Sequence, residues 1–176
     1  MILGCVLAGG QSSRFGSDKA LAVLHGETLI ARAVDMLSGW CEKVVVVGRE
    51  QAPAPTLPDW PRAGMGPLGG IAAALHDARD EGYEAVLTCG VDSVDLPESL
   101  PGLLSPAPAY LSDQPVVGLW PITAIKAIET ILRGDGRHSM RAFAEAIGAR
   151  EVHSGKTSIN INTPADLAEA EKHHGL

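Results

Sequence analysis

Gly9-Gly10, Ser12, Ser13, Arg14 and Lys19 crowd into LAGGQSSRFGSDKAL, residues 7–21, directly behind the first apolar run of the chain. Adjacent glycines let a backbone turn tightly and approach a ligand with no side chain in the way, and successive N–H groups can then point at anionic oxygens. The two serines add hydroxyl donors, and Arg14 and Lys19 add positive charge. A glycine turn followed by a solvated polar loop is the plainer reading, but the density of donors favours an anion cradle. It is neither common glycine-rich nucleotide fingerprint. A P-loop needs GxxxxGK followed by Ser or Thr, whereas Lys19 stands between Asp18 and Ala20; the dinucleotide pattern needs GxGxxG, whereas this stretch reads GGQSSRFG. ATPase and nicotinamide dehydrogenase readings both lose support. A lysine across such a loop can instead bridge the phosphates of a nucleotide and stabilise charge as the bond to pyrophosphate breaks.

A carboxylate belongs with such a loop, and the run Ala85-Val86-Leu87-Thr88-Cys89-Gly90-Val91-Asp92 brings one to the end of an apolar strand. Oxygen ligands suit Mg²⁺, which can bridge phosphate groups and screen an anionic nucleophile. Turn formation or capping is the ordinary role of an Asp after a strand; placement beside the anion loop favours the metal for Asp92. Asp95, followed by Leu-Pro, reads as a local turn residue. Farther on, Asn160-Ile161-Asn162-Thr163-Pro164 sets two amides ahead of a helix. Either Asn162 or Thr163 can cap the helix that Pro164 starts. Alternation around Ile161 can equally turn Asn160 and Asn162 toward a shared polar site holding metal, phosphate or a second substrate.

The elements that must position these groups alternate. Ile2 to Leu7 reads as a buried strand, and a helix follows from about Thr28 to Leu37 with Leu29, Ile30, Ala33, Val34 and Leu37 on one stripe. Lys43 to Val47 is a strand whose unbroken valines suit a parallel sheet covered on both faces. Residues 50–67, rich in Pro, Gly and Ala, form a linker or an active-site loop, and a small-residue helix runs from about Gly69 to Arg79. Beyond the strand ending near Asp92 come a Pro-rich turn around 97–108, a strand over Gln114 to Trp120 broken by Pro121, helices over Thr123 to Leu132 and Ser139 to Ile147, and a last helix from Pro164 to His173. No internal repeat or second core is visible, so residues 1–176 read as a single domain. The pattern predicts a mostly parallel α/β sandwich whose loops beginning at Ala8, Gly48 and Gly90 meet to form the site.

Composition narrows the function classes. The 176 residues are 45% hydrophobic, enough for a sizeable core, and carry a formal charge of −7 with only 4% aromatics. That balance argues against a general nucleic-acid binder. Cys5, Cys41 and Cys89 show no paired or ligand spacing, and Cys5 and Cys89 lie in apolar runs, which suits a reducing cytoplasm. His25, His76 and His138 have no zinc-like spacing. With no apolar run long enough for a membrane and no secretion signal, the expectation is a soluble cytoplasmic protein. The absence of an association stripe leads us to expect a monomer.

Taken together, LAGGQSSRFGSDK, MGPLGGI, the strand ending CGVD and the late NINTPADL resemble the molybdenum cofactor guanylyltransferases, within the wider Rossmann-like nucleotidyltransferase group. The resemblance extends from residue 2 to about 170 and is weakest between 100 and 155. It implies a three-layer Rossmann-like sandwich of the nucleotide-diphospho-sugar transferase type with a mostly parallel central sheet. It also implies transfer of GMP from GTP to the phosphate of the molybdenum-molybdopterin cofactor, giving the guanine dinucleotide form and pyrophosphate. By match to the family loop, Leu7, Ala8 and Gly9 would contact the nucleotide, Gly10 would shape the cradle, and Arg14 and Lys19 would steady the triphosphate. Asp92 would match the Mg²⁺ ligand. Asp59 is similar to the carboxylate that helps select guanine, Gly66-Pro67-Leu68 would wall the base pocket, and Asn160 and Asn162 would lie near the reacting phosphates or the second substrate.

The chain also departs from the family pattern. Some relatives carry an asparagine after the second strand, where this chain has about Val47 followed by Gly48-Arg49; the expected contact is missing or is replaced by backbone or by Arg49. An aromatic-rich segment often found before NINTP is replaced by residues 151–156, in which Lys156 is a candidate for the pterin phosphate or a solvated surface lysine. The LAGG form favours guanine enzymes over cytidylyl relatives, whose loop more often reads LAAG. The alternatives are a cytidylyl or sugar-phosphate nucleotidyltransferase using the same cradle, and a non-catalytic GTP-binding regulator. GTP and molybdopterin are the implied partners, with transient contact to cofactor-insertion proteins possible in principle.

Overall fold

The computed structural model describes residues 1–9, 18–155 and 159–174, without the side chains of 159, 160, 173 and 174. At its centre is a strand buried from both sides. β1 (Ile2–Leu7) sends Leu3 and Cys5 to one face of the sheet and Val6 to the other, and all three side chains are fully buried. β4 (Lys43–Val47) does the same with Val45 and Val47 against Val44 and Val46. Unbroken apolar runs are what a parallel strand covered on both faces requires, and each such side chain contributes about 1.5–3 kcal/mol when removed from water.

The other elements follow in chain order. A hairpin, β2 (Val23–Leu24) and β3 (Glu27–Thr28), precedes α1 (Leu29–Ser38). After β4 come β5 (Thr56–Leu57), α2 (Gly66–Glu81), β6 (Ala85–Gly90), β7 (Ser93–Val94) and α3 (Leu100–Leu104). β8 (Ala109–Leu111), β9 (Gly118–Pro121), α4 (Ile125–Arg133), α5 (Met140–Ile147), β10 (Arg150–Val152), β11 (Ile159–Asn160) and α6 (Pro164–His174) complete the chain. The main sheet has seven strands in the order β10-β8-β9-β6-β1-β4-β5, and within it β9 runs against the rest. α2, α4 and α5 cover one face; α1 and α3 cover the other. The expected three-layer, mostly parallel α/β sandwich is the architecture found.

Local signals account for several boundaries. Thr28 caps α1, its Oγ1 accepting from the Ala31 amide at 3.2 Å. α2 begins at Gly66, ahead of the expected Gly69, because Pro67 fits a first turn that needs no amide there. It ends at Gly82, whose φ of 84° lets the Gly82 amide reach back to Ala78 and Arg79. The expected strand over Gln114 to Trp120 is shorter. Gln114 to Val117 instead close a turn, Val117 N–H donating to the Gln114 carbonyl at 2.8 Å, with Pro115 in the position that favours a turn. β9 is then held to β6 by buried Thr88, whose hydroxyl accepts from Trp120 Nε1 at 2.9 Å and donates to the Val116 carbonyl at 2.6 Å.

The short strands β5, β8 and β10, helix α3 and the hairpin do not emerge from periodicity, since elements of two to five residues contain too little of it. In the hairpin, His25 and Gly26 carry φ values of 50° and 84°, the left-handed pair of a two-residue turn.

Where β1 and β4 end, their backbones touch. Ala8 N–H donates to the Val47 carbonyl at 2.9 Å, and a Cβ on Gly48 would lie 2.4 Å from the Gly9 nitrogen and 2.5 Å from its Cα. Gly48 also has a φ of 98°. Gly48→Ala meets both a left-handed backbone and a backbone collision, so urea unfolding should show a loss of at least about 2 kcal/mol. A loss below about 0.5 kcal/mol would place this contact outside the folded core.

Candidate active site

The loops after β1, β4 and β6 meet at one end of the sheet, as their beginnings at Ala8, Gly48 and Gly90 predict. Across them Lys19 Nζ stands 3.2 Å from Asp92 Oδ2, and the two side chains are 20% and 21% exposed. Both groups are thus partly screened by protein yet reachable. Gly10 and Arg14 lie outside the described residues, as do Ser12 and Ser13.

Lys19 is carried by a short 3-10 turn, Lys19–Leu21, capped by Asp18, whose Oδ1 accepts from the Ala20 amide at 3.2 Å. Ala20, 3% exposed, fixes that turn against Ile30, Ala33 and Val34 of α1. The Asp92 loop is shaped by Gly90, whose amide donates to Ser93 Oγ at 3.3 Å. A Cβ on Gly90 would come within 2.5 Å of Asp92 Oδ1, so the carboxylate rests where only a glycine leaves room. Neither Ser93, 4% exposed, nor Asp18 stands out in the sequence as a site residue. The legible trace of Asp18 is a cap type immediately before KAL.

The late asparagine motif is stitched to this same loop. β11 pairs antiparallel with β7, Asn160 opposite Ser93, and the Ile161 amide donates to the Asp92 carbonyl at 3.1 Å. Ile161 is fully buried with Leu24, Leu29, Val94 and Ala170. Thr163 caps α6: its Oγ1 accepts from Asp166 N–H at 3.1 Å, while Asp166 Oδ2 accepts the Asn162 and Thr163 amides at 2.9 and 3.0 Å. The Asn162 side chain is half-buried.

On the other flank, Asp59 and Trp60 lie over the start of α2. Trp60 N–H donates to the Gly69 carbonyl at 3.1 Å, and a Cβ on Gly69 would approach Asp59 Cβ to 3.3 Å. Burial pushes the Asp59 carboxyl above its usual range, and the Met65 and Gly64 amides donating to it pull it partly back. A Cβ on Gly70 would meet Leu7 Cδ2 at 2.6 Å and Val47 Cγ1 at 3.4 Å, so the helix start also touches the ends of β1 and β4. Gly66 and Pro67 are exposed beside Asp59. Val47 and Leu68 are not presented in the same way: at 1% and 0% exposure their side chains belong to the core, which leaves backbone for any ligand contact. Arg49, two positions beyond Val47, has its Nη1 donating to both oxygens of Asp18, at 2.9 and 2.8 Å. Asp95, with φ 59°, sits in a turn.

Among the described residues no three His, Cys, Asp or Glu side chains gather to hold a metal. Among the described residues the arrangement is a cation and a carboxylate meeting across the strand-end loops, with a second carboxylate in the segment over the start of α2. Comparison with known proteins gives a consistent picture. The sequence profile of a family described as "MobA-like NTP transferase domain" matches residues 4–150. A molybdenum cofactor guanylyltransferase of Acidiphilium cryptum (strain JF-5) is 36% identical over 181 residues, covering 94% of this chain and 92% of that one. One of Rhodobacter capsulatus is 36% identical over 181 residues, covering 97% and 95%. Among solved structures, molybdopterin-guanine dinucleotide biosynthesis protein A from Archaeoglobus fulgidus superposes with a TM-score of 0.78 at 21% identity, covering 98% of both chains. The 2-C-methyl-D-erythritol 4-phosphate cytidylyltransferase of Thermus thermophilus gives 0.68 at 16% identity, again covering 98% of both, a likeness of fold.

The cap that anchors Asn162 makes a pH-dependent claim. Hydrogen bonds from the Asn162 and Thr163 backbone and the Thr163 side chain hold the Asp166 carboxyl below its ordinary value. A depressed folded-state pKa contributes stability above the unfolded value and loses it as pH falls through the folded one. Asp166→Ala should lower the melting temperature by a few degrees at neutral pH, and the gap from the parent should close in strongly acid solution. A gap that is constant with pH would show that the ionised cap is not its source.

Proposed function

Because the chain belongs to the MobA-like NTP transferase domain family, we propose that it transfers GMP from GTP to the molybdenum-molybdopterin cofactor and releases pyrophosphate. The observation that carries the chemistry is Lys19 meeting Asp92 at 3.2 Å across the strand-end loops. The observation that carries the substrates is the 36% identity, over nearly the whole length, to guanylyltransferases of that cofactor. We read residues 1–176 as one nucleotidyltransferase unit acting as a monomer, in at most transient contact with a cofactor-insertion protein. Among the described residues no helix is long and apolar enough to cross a membrane.

In this reading an oxygen of the pterin phosphate attacks the α-phosphorus of GTP in line. The new P–O bond forms as the bond to the β-phosphate oxygen breaks, and the electron pair leaves on pyrophosphate. No histidine base is needed, since a phosphate monoester is largely ionised near neutral pH. Lys19, with Arg14 from the adjoining loop, balances charge on the triphosphate and on the leaving pyrophosphate. Leu7 to Gly10 serve the nucleotide, and Asn160 and Asn162 serve the phosphates or the second substrate. Asp92 suits Mg²⁺, which binds through one or two carboxylates and fills its remaining positions with substrate phosphates and water. When bound, it would supply Lewis-acid charge stabilisation at those phosphates.

Asp59 selects the base. Its carboxylate accepts from guanine N1–H and N2–H₂, a donor pair that adenine lacks, while Gly66 and Pro67 with the Leu68 backbone form the wall. Its raised pKa makes that acceptor lose charge at a higher pH than an ordinary Asp as the solution is acidified.

The defining experiment is Mg²⁺-dependent pyrophosphate release from GTP, CTP and ATP, with loaded pterin and with a no-pterin control. Pterin-dependent release mainly from GTP is expected; release mainly from CTP would move the chain to the cytidylyl class, and binding without release would make it a regulator. Asp92→Ala should lower kcat by about a hundredfold or more at saturating Mg²⁺, and a normal rate removes Asp92 from the site. Asp59→Asn should reduce the preference for GTP over ATP by about tenfold or more and flatten the acid-side rise in KM for GTP. An unchanged ratio of efficiencies sinks the base-selection role.

A further inference from the structure

We propose that Asp18 and Arg49 form a latch that sets where Lys19 points, so that Arg49 serves the transfer by positioning and not by touching the nucleotide. The proposal rests on the assignment of Lys19 to the triphosphate. Asp18 is used from two sides. Its Oδ1 accepts from the Ala20 amide at 3.2 Å, closing the turn that carries Lys19, and both its oxygens accept from Arg49 Nη1 at 2.9 and 2.8 Å. Arg49 Nε donates in turn to the Gln51 carbonyl at 3.3 Å, which orients the guanidinium.

The point from which Arg49 departs is itself fixed. Gly48, its neighbour, is held in a left-handed conformation hard against Gly9. Consecutive residues of the loop after β4 thus hold both residues that border the stretch 10–17: Gly48 packs on Gly9, and Arg49 grips Asp18. Lys19, next along the chain, then reaches Asp92 on the loop after β6. The loop after β1 is thus joined to the loop after β4 by a backbone contact and an ion pair, and to the loop after β6 by a second ion pair.

A positioning role makes a distinctive pattern. The Asp18 and Arg49 side chains are 45% and 21% exposed, and surface pairs of this kind add little to stability. Misplacing a catalytic charge by even an ångström, by contrast, lowers turnover severely. Removing the latch should therefore act on kcat and not on melting temperature.

The test compares Arg49→Gln, Asp18→Asn and the double variant in the full chain, measuring kcat, KM for GTP and melting temperature. Asn at 18 keeps an acceptor for the Ala20 amide while losing the charge that Arg49 grips, so it separates latch from cap. Each single variant should lose about tenfold in kcat with KM for GTP within about twofold, and the double should be no worse than either, because the pair acts as a unit. Arg49→Lys should restore part of the loss. Additive losses with a raised KM for GTP would mean that Arg49 touches the nucleotide and would overturn the latch; unchanged kcat in Arg49→Gln would overturn it as well.

A second readout does not depend on turnover. With lysines dimethylated using ¹³C-formaldehyde, the Lys19 methyl resonance, assigned by its loss in Lys19→Arg, should lie apart from those of solvated lysines and merge with them in Arg49→Gln. A resonance that stays in place overturns the positioning role. Should Lys19→Ala keep full turnover, the triphosphate assignment fails, and the resonance still decides whether the latch orients Lys19.

Discussion

Two backbones in contact govern this site. Gly48 against Gly9 brings the ends of β1 and β4 closer than any side chain would allow, and the Ala8 to Val47 hydrogen bond continues the sheet to the point of contact. Because both strands are buried on both faces, their ends cannot shift to relieve an added Cβ. The stiffness of the sheet is thereby transmitted to Gly9, where the loop after β1 starts.

The small residues of α2 extend the same constraint to the segment containing Asp59. Gly69 and Gly70 stand where a Cβ would strike Met65, Leu7 or Val47, so the helix start lies directly on the strand ends. That closeness sets the segment containing Asp59 against the helix start, where Trp60 N–H donates to the Gly69 carbonyl. Its small residues let this helix bury most of its length against the sheet.

The third flank is held by different means. β11 adds only two residues to β7, but Ile161 is fully buried and the cap formed by Thr163 and Asp166 fixes the start of α6. Short-range hydrogen bonds fix this flank, whereas the other two are set by the close approach of glycines to the strand ends.

The sequence by itself determined the strands β1, β4 and β6, the helices α1, α4, α5 and α6, the three loops that converge, and Asp92 at a strand end. Long apolar runs and helical stripes specify their own structure, and glycines, caps and carboxylates are recognisable by type. The tertiary structure alone decided the short strands β5, β8 and β10, whose pairing comes from neighbours and not from their own two or three residues. It also decided that Val47 and Leu68 turn inward and that Arg49 grips Asp18. Lys19 and Asp92 are 73 positions apart, and no local pattern encodes a contact at that separation. Such contacts exist because a parallel sheet brings the carboxyl ends of its strands to one edge, where the loops must meet.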